Sequence, residues 1–464
     1  MAGETRKNPN VNTIEEFGYK QELKRSLTFG DLFIYGISLM VPIAPFGIYG
    51  YVAQASHGMV GLAYLIGMVG MIFTALSYAR MSEAFPIAGS VYSYAQRGIN
   101  DNVGFIAGWI LLLDYIFVPT LIYLVAVAAL QGILPEVPSV VWLVFFIGIN
   151  TVFNVVGVKV TAKAIKLITY LILIVLVIFV TVGIIAIVNG VNGAEFSFKP
   201  LFDPDHFSLG LVMEAVSIAV LSFLGFDAVS TLAEEAEGER KLIGKAIIFS
   251  LIAVGLLFIV QTWVAALIYP DYNGFDNLDT AFYVIAEIAG GPWLKWLTAI
   301  SMAIAFGIAD ALVFQAAISR LLFSMARDKK LPAFLAKVHP KYKTPYTSTI
   351  LVAIVSFIVA MMFSAHLGTL TSLVNFGALT GFILLHLSVI NYFIIRKKSS
   401  NYLNYLILPI IGLLIIGYVW YSLESIAKIF GFSWVVIGIV YMLIINAKNK
   451  KIPNELNKGH DSNM

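Results

Sequence analysis

Residues 36–47 read Gly36-Ile-Ser-Leu-Met-Val-Pro42-Ile-Ala-Pro45-Phe46-Gly47, an apolar run interrupted by two prolines. Proline lacks the backbone N–H and its ring clashes with the preceding helical turn, so two prolines three residues apart predict a broken helix. Pro42 lies ten residues after Leu32, where the apolar span begins, a distance of roughly 15 Å at 1.5 Å per residue. That distance is half of a bilayer core about 30 Å thick. The stretch therefore predicts a transmembrane helix broken near the middle of the membrane.

The composition of the whole chain is typical of a membrane protein. Of its 464 residues, 59% are hydrophobic and 12% are charged, whereas soluble domains average about 45–50% apolar and about 25% charged residues. The net charge of +3 is too small to point to a nucleic-acid partner, and none is expected. The lack of cysteine excludes disulfides and thiolate metal sites. The first thirty residues are too polar for a signal peptide, so we expect the first apolar span to act as an uncleaved insertion signal.

Twelve runs are apolar and long enough to cross a bilayer. They are 32–55, 59–79, 103–130, 138–157, 167–189, 207–233, 246–269, 292–319, 345–365, 368–395, 402–422 and 429–446. The loops between them are short and hold no separate soluble domain. We therefore predict an all-α integral membrane protein with twelve transmembrane helices. The transmembrane domain would cover 31–446, between an N-terminal segment 1–30 and a C-terminal tail 447–464.

The basic residues predict the orientation of the chain. With twelve spans, both termini lie on one side of the membrane, and all but three of the 30 lysines and arginines fall on that side. The three exceptions are Lys199, Lys295 and Lys428. Because loops rich in lysine and arginine stay in the cytoplasm, both termini are predicted to be cytoplasmic.

A second break is predicted in span 6, which reads Ser222-Phe-Leu-Gly225-Phe226-Asp227. Five spans separate the two breaks, and an odd number of spans inverts the direction of entry into the membrane. Transporters are often built from inverted repeats that each carry a broken helix near the midplane. The pattern favours a five-plus-five inverted repeat with broken helices 1 and 6 and two further C-terminal helices. The alternative is that glycine and proline are simply common in membrane helices.

Four carboxylates fall inside the apolar spans, with no lysine or arginine at comparable depth. They are Asp114, Glu214, Asp227 and Asp310. A charge in a membrane interior is costly unless it is paired or neutralised, so such residues are functional candidates. The missing partner is then a proton, a metal cation or an amine-bearing solute. This excess of acid points to transport of something positive.

Several longer motifs match a known family. The chain carries Phe73-Thr-Ala-Leu-Ser-Tyr-Ala, Phe85-Pro-Ile-Ala-Gly-Ser-Val-Tyr-Ser-Tyr-Ala, Gly108-Trp-Ile-Leu-Leu-Leu-Asp114-Tyr115, Gly225-Phe-Asp-Ala-Val-Ser-Thr231-Leu-Ala-Glu234-Glu235, Ser319-Arg320-Leu-Leu-Phe-Ser-Met-Ala-Arg327-Asp328 and Leu331-Pro332. With these it resembles, from end to end, the permeases of the amino acid–polyamine–organocation (APC) superfamily, and more closely their bacterial putrescine-importer branch. The resemblance implies a secondary transporter that holds its substrate between spans 1, 3, 6, 8 and 10.

The candidate substrate site combines the two breaks with acids. Its predicted members are Pro42, Asp114, Tyr115, Gly225, Phe226 and Asp227. Asp114 would pair with a substrate ammonium, with the Tyr115 ring as a cation–π face; the alternative is a protonated aspartate bonded to a neighbouring helix. Broken backbone next to Asp227 leaves free carbonyls that attract cations; the alternative is an intramolecular lock to a loop lysine.

A second set of residues is predicted to serve coupling or gating: Thr231, Glu234, Asp310, Arg320 and His386. Thr231 and Glu234 follow Asp227 at i+4 and i+7 and so share its helical face. Glu234 is either a gate partner of a cytoplasmic arginine or a solvated loop charge. Asp310 belongs either to the exit path or to a structural salt bridge. His386 is either a proton relay or a satisfied core histidine.

Three departures from the family patterns bear on the cargo. Amino-acid permeases commonly have a glycine-rich break in span 1 whose N–H groups hold the substrate carboxylate, whereas this chain has Pro42 and Pro45. Leu221 replaces the stacking tryptophan of arginine–agmatine antiporters, and Ile172 replaces the span 5 lysine of some proton-coupled relatives. The first difference favours an amine without a carboxylate, and the second weakens the case for a guanidinium substrate. The third excludes proton coupling through that lysine.

We therefore expect a plasma-membrane secondary permease that imports a small organic amine, with putrescine the leading candidate. The alternative is an amino acid permease or an amino acid/amine exchanger of the same superfamily. The expected partners are the substrate and the lipid bilayer, with a coupling proton left open. We expect no enzymatic activity and no cofactor, because the sequence has no H-E-x-x-H metal spacing, P-loop or Rossmann glycines. Two broken helices also disfavour a channel.

Overall fold

The computed structural model describes residues 27–86, 90–157, 162–233, 235–237, 239, 241–327 and 332–450. These residues form helices and no β-strand, apart from an isolated bridge between Leu27 and Ala236. Twelve of the helices are long and apolar enough to cross a membrane, which confirms the predicted spans. Below, the terminal side is the end of the helix bundle that holds residues 27 and 450, and the opposite side is the other end.

Seven spans are continuous helices. They are span 2 (Val60–Ala84), span 3 (Asp101–Gln131), span 4 (Ser139–Val156), span 5 (Ala162–Val188), span 7 (Lys241–Ile268), span 9 (Tyr346–Phe363) and span 12 (Ser425–Lys450). The other five change their winding within the span. Spans 1 and 6 are broken, and spans 8, 10 and 11 contain π-helical segments.

The predicted break in span 1 is confirmed. The first half is the helix Phe29–Leu39, whose N-terminus is closed by a capping box between Thr28 and Asp31. The backbone then turns through Val41, which has a positive φ of 44°. A positive φ is uncommon for a β-branched residue and indicates strain. A 3₁₀ turn, Ala44–Gly47, and the helix Tyr49–Ala55 complete the span.

The predicted break in span 6 is confirmed as well. The helix Leu209–Ala219 tightens into a 3₁₀ turn, Val220–Phe223, and winding stops at Leu224, whose backbone is extended. Gly225 has a φ of 103°, and a second 3₁₀ segment, Phe226–Leu232, follows. Glycine is suited to this position because it has no Cβ to clash at positive φ.

The two breaks lie against each other. A β-carbon built on Gly225 would stand 2.7 Å from the carbonyl oxygen of Leu39, the last residue of the first half of span 1. The absence of a side chain at Gly225 therefore allows span 6 to approach the backbone of span 1. The interrupted segments of both repeats meet in the interior of the bundle.

Spans 8, 10 and 11 contain π segments that were not anticipated. Span 8 runs from Pro292–Ile304 through the π segment Ala305–Asp310 to Ala311–Arg327. Span 10 is Leu367–Val389 with the π segment Ile390–Arg396, and span 11 is the π segment Leu403–Ile407 with Leu408–Tyr421. A π segment widens the helix and leaves carbonyls without their usual partners, and such segments are frequent at functional sites.

Two further helices lie in the loops between the spans. Ser90–Gly98 follows span 2, and Ala281–Gly290 precedes span 8. Both are too short to cross a membrane, so the length of apolar runs could not predict them. Each inserts a buried tyrosine among the spans, Tyr94 from the first helix and Tyr283 from the second.

Replacing Gly225 with alanine should destabilise the protein. The substitution would combine a strained positive φ, which costs on the order of 1–3 kcal/mol, with a clash against the Leu39 carbonyl. We expect a lower midpoint of thermal unfolding for the purified Gly225→Ala protein in detergent. The matched control is Gly417→Ala in span 11, where an added β-carbon would meet no atom within 4 Å. An unchanged midpoint for Gly225→Ala would contradict the contact between the breaks.

Candidate functional site

A cavity of about 60 Å³ lies where the two breaks meet. Its walls come from the broken part of span 1, from span 3, from the break of span 6 and from the π segment of span 8. Apolar side chains such as Val41, Val125 and Phe306 form most of the wall, and Ser222 and Asp310 are the polar side chains in the lining. The Ser222 hydroxyl lies 3.0 Å from the Tyr64 hydroxyl, close enough for a hydrogen bond. Asp310 therefore dominates the chemistry of the cavity.

Asp310 is the last residue of the π segment in span 8. Its side chain is partly exposed to the cavity, and it has no hydrogen bond or ion pair with any residue that the structure describes. Asp310 also lines a second cavity of about 40 Å³ between spans 1, 5 and 8. There the hydroxyl groups of Ser38 and Thr169 lie 2.7 Å apart. The residue predicted to serve coupling or an exit path thus faces the central cavity.

Asp114 and Asp227 do not line the central cavity but lie on its terminal side. Asp114 comes one turn before Val118, a lining residue of span 3, and packs beside Gly377 of span 10. Its Oδ1 atom is buried without a hydrogen bond to any described residue. The carboxyl groups of Asp114 and Asp227 lie within range of electrostatic interaction. The structure therefore brings these two predicted site residues together.

Polar and aromatic side chains surround Asp227. The Tyr78 hydroxyl donates a hydrogen bond of 3.2 Å to Asp227 Oδ2 and lies 3.3 Å from the Ser90 hydroxyl. The ring of Phe226, also a predicted site residue, contacts Tyr78 and Phe382 at centroid distances of 5.7 and 5.6 Å. Asp227 therefore lies beside a cluster of aromatic rings from spans 2, 6 and 10.

Two sets of contacts join separate segments of the chain on the terminal side of the bundle. The Leu27 N–H donates to the Glu235 carbonyl at 3.1 Å, and the Glu237 N–H donates to the Leu27 carbonyl at 3.0 Å. Lys166 Nζ of span 5 forms an ion pair with Asp31 Oδ1 of span 1 at 2.6 Å. The chain before span 1 is thus joined to the chain after span 6.

Aromatic contacts cross the opposite side. The ring of Phe46, in the broken part of span 1, stacks on Phe282 of the short helix Ala281–Gly290 at a centroid distance of 3.7 Å. The Tyr51 hydroxyl donates a hydrogen bond of 2.6 Å to Asp279 Oδ1. Burial raises the pKa of the Asp279 carboxyl above its ordinary value, and the hydrogen bond from Tyr51 partly offsets this. Contacts between spans therefore lie on both the terminal side and the opposite side of the cavity.

The remaining predicted residues lie away from the cavity. Thr231 is exposed and donates to the Ala228 carbonyl, and Arg320 is exposed at the end of span 8. His386 is fully buried, with its two ring nitrogens 3.3 Å from the Thr74 hydroxyl and 2.9 Å from the Ser77 hydroxyl of span 2. This geometry fits the alternative of a satisfied core histidine.

Two predicted residues cannot be placed in the site. Glu234 and the side chain of Tyr115 lie outside the described residues. Glu214, the fourth acid within the spans, is described and exposed. Among the described residues, no group of three or more histidine, aspartate or glutamate side chains could hold a metal ion.

Sequence reasoning missed a buried glutamine that supports the break in span 1. Gln261 of span 7 is fully buried, and its Nε2 donates to the carbonyl oxygens of Pro42 at 3.0 Å and Leu257 at 2.9 Å. The bond to Pro42 satisfies a carbonyl at the break, where the regular helical pattern is lost. The sequence signal that could have identified this residue was a single glutamine within an apolar span.

Comparison with known proteins identifies the family. A family model described as amino acid permease matches residues 27–458. The chain is 32% identical to the low-affinity putrescine importer PlaP of Escherichia coli (strain K12) over 443 residues, which cover 94% of this chain and 95% of the relative. It is 26% identical to the branched-chain amino acid permease BcaP of Bacillus subtilis (strain 168), with 93% and 95% covered. It is 28% identical to the methylthioribose transporter of the same organism, with 96% and 98% covered.

Replacing Gln261 with leucine should destabilise the protein. The substitution keeps an apolar side chain of similar size but leaves the buried Pro42 carbonyl without its donor, at a cost of about 1–3 kcal/mol. We expect a lower midpoint of thermal unfolding for Gln261→Leu in detergent. The control is Gln54→Leu, because Gln54 is exposed. Equal midpoints for the two variants would argue against a supporting role of Gln261.

Proposed function

The chain belongs to the amino acid permease family, and we propose that it imports a small organic amine by alternating access, with putrescine the leading candidate. One observation carries this proposal: Asp310 is a carboxylate without a described partner in an otherwise apolar cavity at the meeting point of both breaks. The similarity to a putrescine importer over nearly the full length supports the same substrate class.

A diamine suits this cavity for a physical reason. A carboxylate in a membrane interior loses its hydration, and an ammonium group of the substrate would supply the missing opposite charge. The apolar wall would receive the methylene groups of the substrate, each worth about 0.8 kcal/mol on burial. An amine with an aliphatic stem therefore uses both the acid and the apolar wall.

The second ammonium of a diamine would meet the Asp114–Asp227 pair. We propose that one ammonium lies at Asp310 and the other reaches towards these two acids on the terminal side. Their carboxyl groups are within range of mutual electrostatic interaction, so a cation between them would relieve their repulsion. The substrate would then move along a route bordered by three acids.

The same features disfavour a zwitterionic amino acid. The prolines of the span 1 break remove backbone N–H groups that could hold a substrate carboxylate. Asp310 would repel a carboxylate in the same cavity. If a proton is co-transported, one of the acids must carry it, because span 5 has Ile172 where some relatives have a lysine.

Passage requires rearrangement at both ends of the cavity. The volume of about 60 Å³ is well below the roughly 300–1,000 Å³ of typical ligand pockets. We propose that the substrate enters when the Phe46–Phe282 and Tyr51–Asp279 contacts open. It leaves when the backbone pairing of Leu27 and the Lys166–Asp31 ion pair break. Such alternation is the expected motion of an inverted-repeat transporter.

The proposed orientation places both termini in the cytoplasm of a cell bounded by the plasma membrane. An inside-negative potential is worth about 2.3 kcal/mol per charge per 100 mV. A dication entering such a cell gains twice that amount, so uptake needs little or no ion coupling. The potential alone would drive accumulation.

Neutralising the acids one at a time tests the substrate assignment. We expect Asp310→Asn, Asp114→Asn and Asp227→Asn each to lower uptake of radiolabelled putrescine into vesicles by about tenfold or more, because each removes a charge that pairs with an ammonium. Unlabelled diamines should compete with putrescine in the unmodified protein, and neutral amino acids should not.

The matched control for these variants is Glu214→Gln, which neutralises an exposed acid in span 6. Its uptake should equal that of the unmodified protein. Normal putrescine uptake by all three aspartate variants would refute the proposed substrate site. Competition by amino acids instead of diamines would favour an amino acid permease.

Single cysteines test the proposed orientation, because the chain has no cysteine of its own. Ser208 and Ser400 are exposed on the opposite side and the terminal side, respectively. We expect a membrane-impermeant maleimide to label Ser208→Cys in intact cells and to label Ser400→Cys only after permeabilisation. The reverse pattern of labelling would show that the termini are extracellular.

A further inference from the structure

Spans 4 and 8 are joined by buried amide side chains. Asn150 Nδ2 donates to the Phe146 carbonyl in its own helix at 2.9 Å and to the Gly307 carbonyl of span 8 at 2.7 Å. Asn154 Nδ2, one turn further along, donates to the Leu312 carbonyl at 3.2 Å and to Gln315 Oε1 at 2.8 Å. Span 4 thus contacts span 8 through polar bonds at two successive levels.

The first of these two contacts, from Asn150, is made to the π segment that ends at Asp310. Gly307 is the third residue of the segment Ala305–Asp310. The altered winding of a π segment leaves carbonyls without regular helical partners, and a buried carbonyl needs a donor. Asn150 is fully buried and supplies that donor at Gly307.

The close approach of span 4 at this level depends on Gly307. A β-carbon there would stand 2.5 Å from the ring of Phe146. Phe146 and Asn150 lie one turn apart on span 4 and therefore face the same way. The Phe146 ring fills the space beside Gly307, and the Asn150 amide bonds to its carbonyl. Together they fix the position of the π segment against span 4.

We propose that Asn150 is a positioning residue for amine binding: its bond to the Gly307 carbonyl holds the π segment of span 8 so that the Asp310 carboxylate faces the central cavity. This inference rests on the proposed function, in which Asp310 receives a substrate ammonium. Asp310 follows Gly307 by three residues, so a change of winding at Gly307 rotates the Asp310 side chain about the helix axis. A side chain that touches no substrate then controls where the acid points.

The contacts of Asn154 provide a matched control within the same two spans. Asn154 also donates two hydrogen bonds to span 8, but both acceptors lie beyond Asp310, at Leu312 and Gln315. Loss of the Asn154 bonds should weaken the contact between the spans without changing the winding of the π segment. The two asparagines therefore separate the positioning of Asp310 from general packing.

The experiment measures the concentration of putrescine at half-maximal uptake and the maximal rate per folded transporter. For Asn150→Leu we expect the half-saturation concentration to rise about tenfold, as for loss of a buried hydrogen bond, with the maximal rate within about twofold. For Asn154→Leu we expect an unchanged half-saturation concentration. Equal effects of the two variants on this concentration, or none in Asn150→Leu, would overturn the inference.

A double-mutant cycle with Asp310→Asn separates this inference from the proposed function. Binding of putrescine to the purified proteins is measured, since binding can be compared even where uptake is lost. If Asn150 acts through Asp310, Asn150→Leu adds no further loss of affinity in the Asp310→Asn background. Additive losses would overturn the positioning role while leaving the proposed function intact. Unchanged affinity of Asp310→Asn alone would instead refute the role of Asp310 in the proposed function.

A second variant guards against misfolding of Asn150→Leu. Asn150→Ala removes the amide donor to the Gly307 carbonyl without adding a branched side chain at the contact with span 8. It should show the same rise in half-saturation concentration as Asn150→Leu. A normal half-saturation concentration in folded Asn150→Ala protein would also overturn the proposal.

Discussion

Backbone groups that are freed inside a membrane must find partners within the protein, because lipid offers none. Two of the irregular segments around the central cavity meet this requirement through buried amide side chains. Gln261 donates to the Pro42 carbonyl at the break in span 1, and Asn150 donates to the Gly307 carbonyl in the π segment of span 8. Two buried amides, each on a span that packs against the interrupted one, thus make the interrupted helices compatible with a bilayer. The interruptions in turn create the space in which a substrate can be held.

The same interruptions decide where charge can lie. A regular helix at the bilayer centre presents only side chains to its neighbours, and a carboxylate there is costly. The wider winding of span 8 ends at Asp310, which lies beside the cavity with no described partner. Asp227 follows the break of span 6 and receives a hydrogen bond from Tyr78. Irregular backbone and membrane-depth acid therefore occur together in both spans.

Local signals made much of this architecture predictable from the sequence. Span length and apolarity depend on composition over about twenty residues, and the prolines at 42 and 45 and the glycine at 225 act on their own backbone. The twelve spans and both breaks were predicted from these signals and are confirmed. Their mutual contact, Gly225 against Leu39, depends on tertiary packing and has no local signature.

Placement of the acids within the site could be predicted only in part. Asp310 was recognised as an acid within the apolar spans and was assigned either to an exit path or to a structural salt bridge. Its place in the lining of the central cavity depends on how spans 1, 3, 6 and 8 pack together. The π segment Ala305–Asp310, which ends at this residue, contains no proline or glycine pair that would have predicted it. Gln261 and Asn150 were missed because a single amide in an apolar span resembles ordinary packing until its acceptor on another span is known.

The relatives show how one fold accommodates different cargo. Their names specify putrescine, branched-chain amino acids and methylthioribose. A shared scaffold with different cargo requires that selectivity reside in the residues that face the cavity. In this chain the cavity wall is apolar except for Ser222, which is close to Tyr64, and Asp310. Under the proposed function, the charge of Asp310 in the π segment, together with the Asp114–Asp227 pair, would favour a cation over a neutral solute.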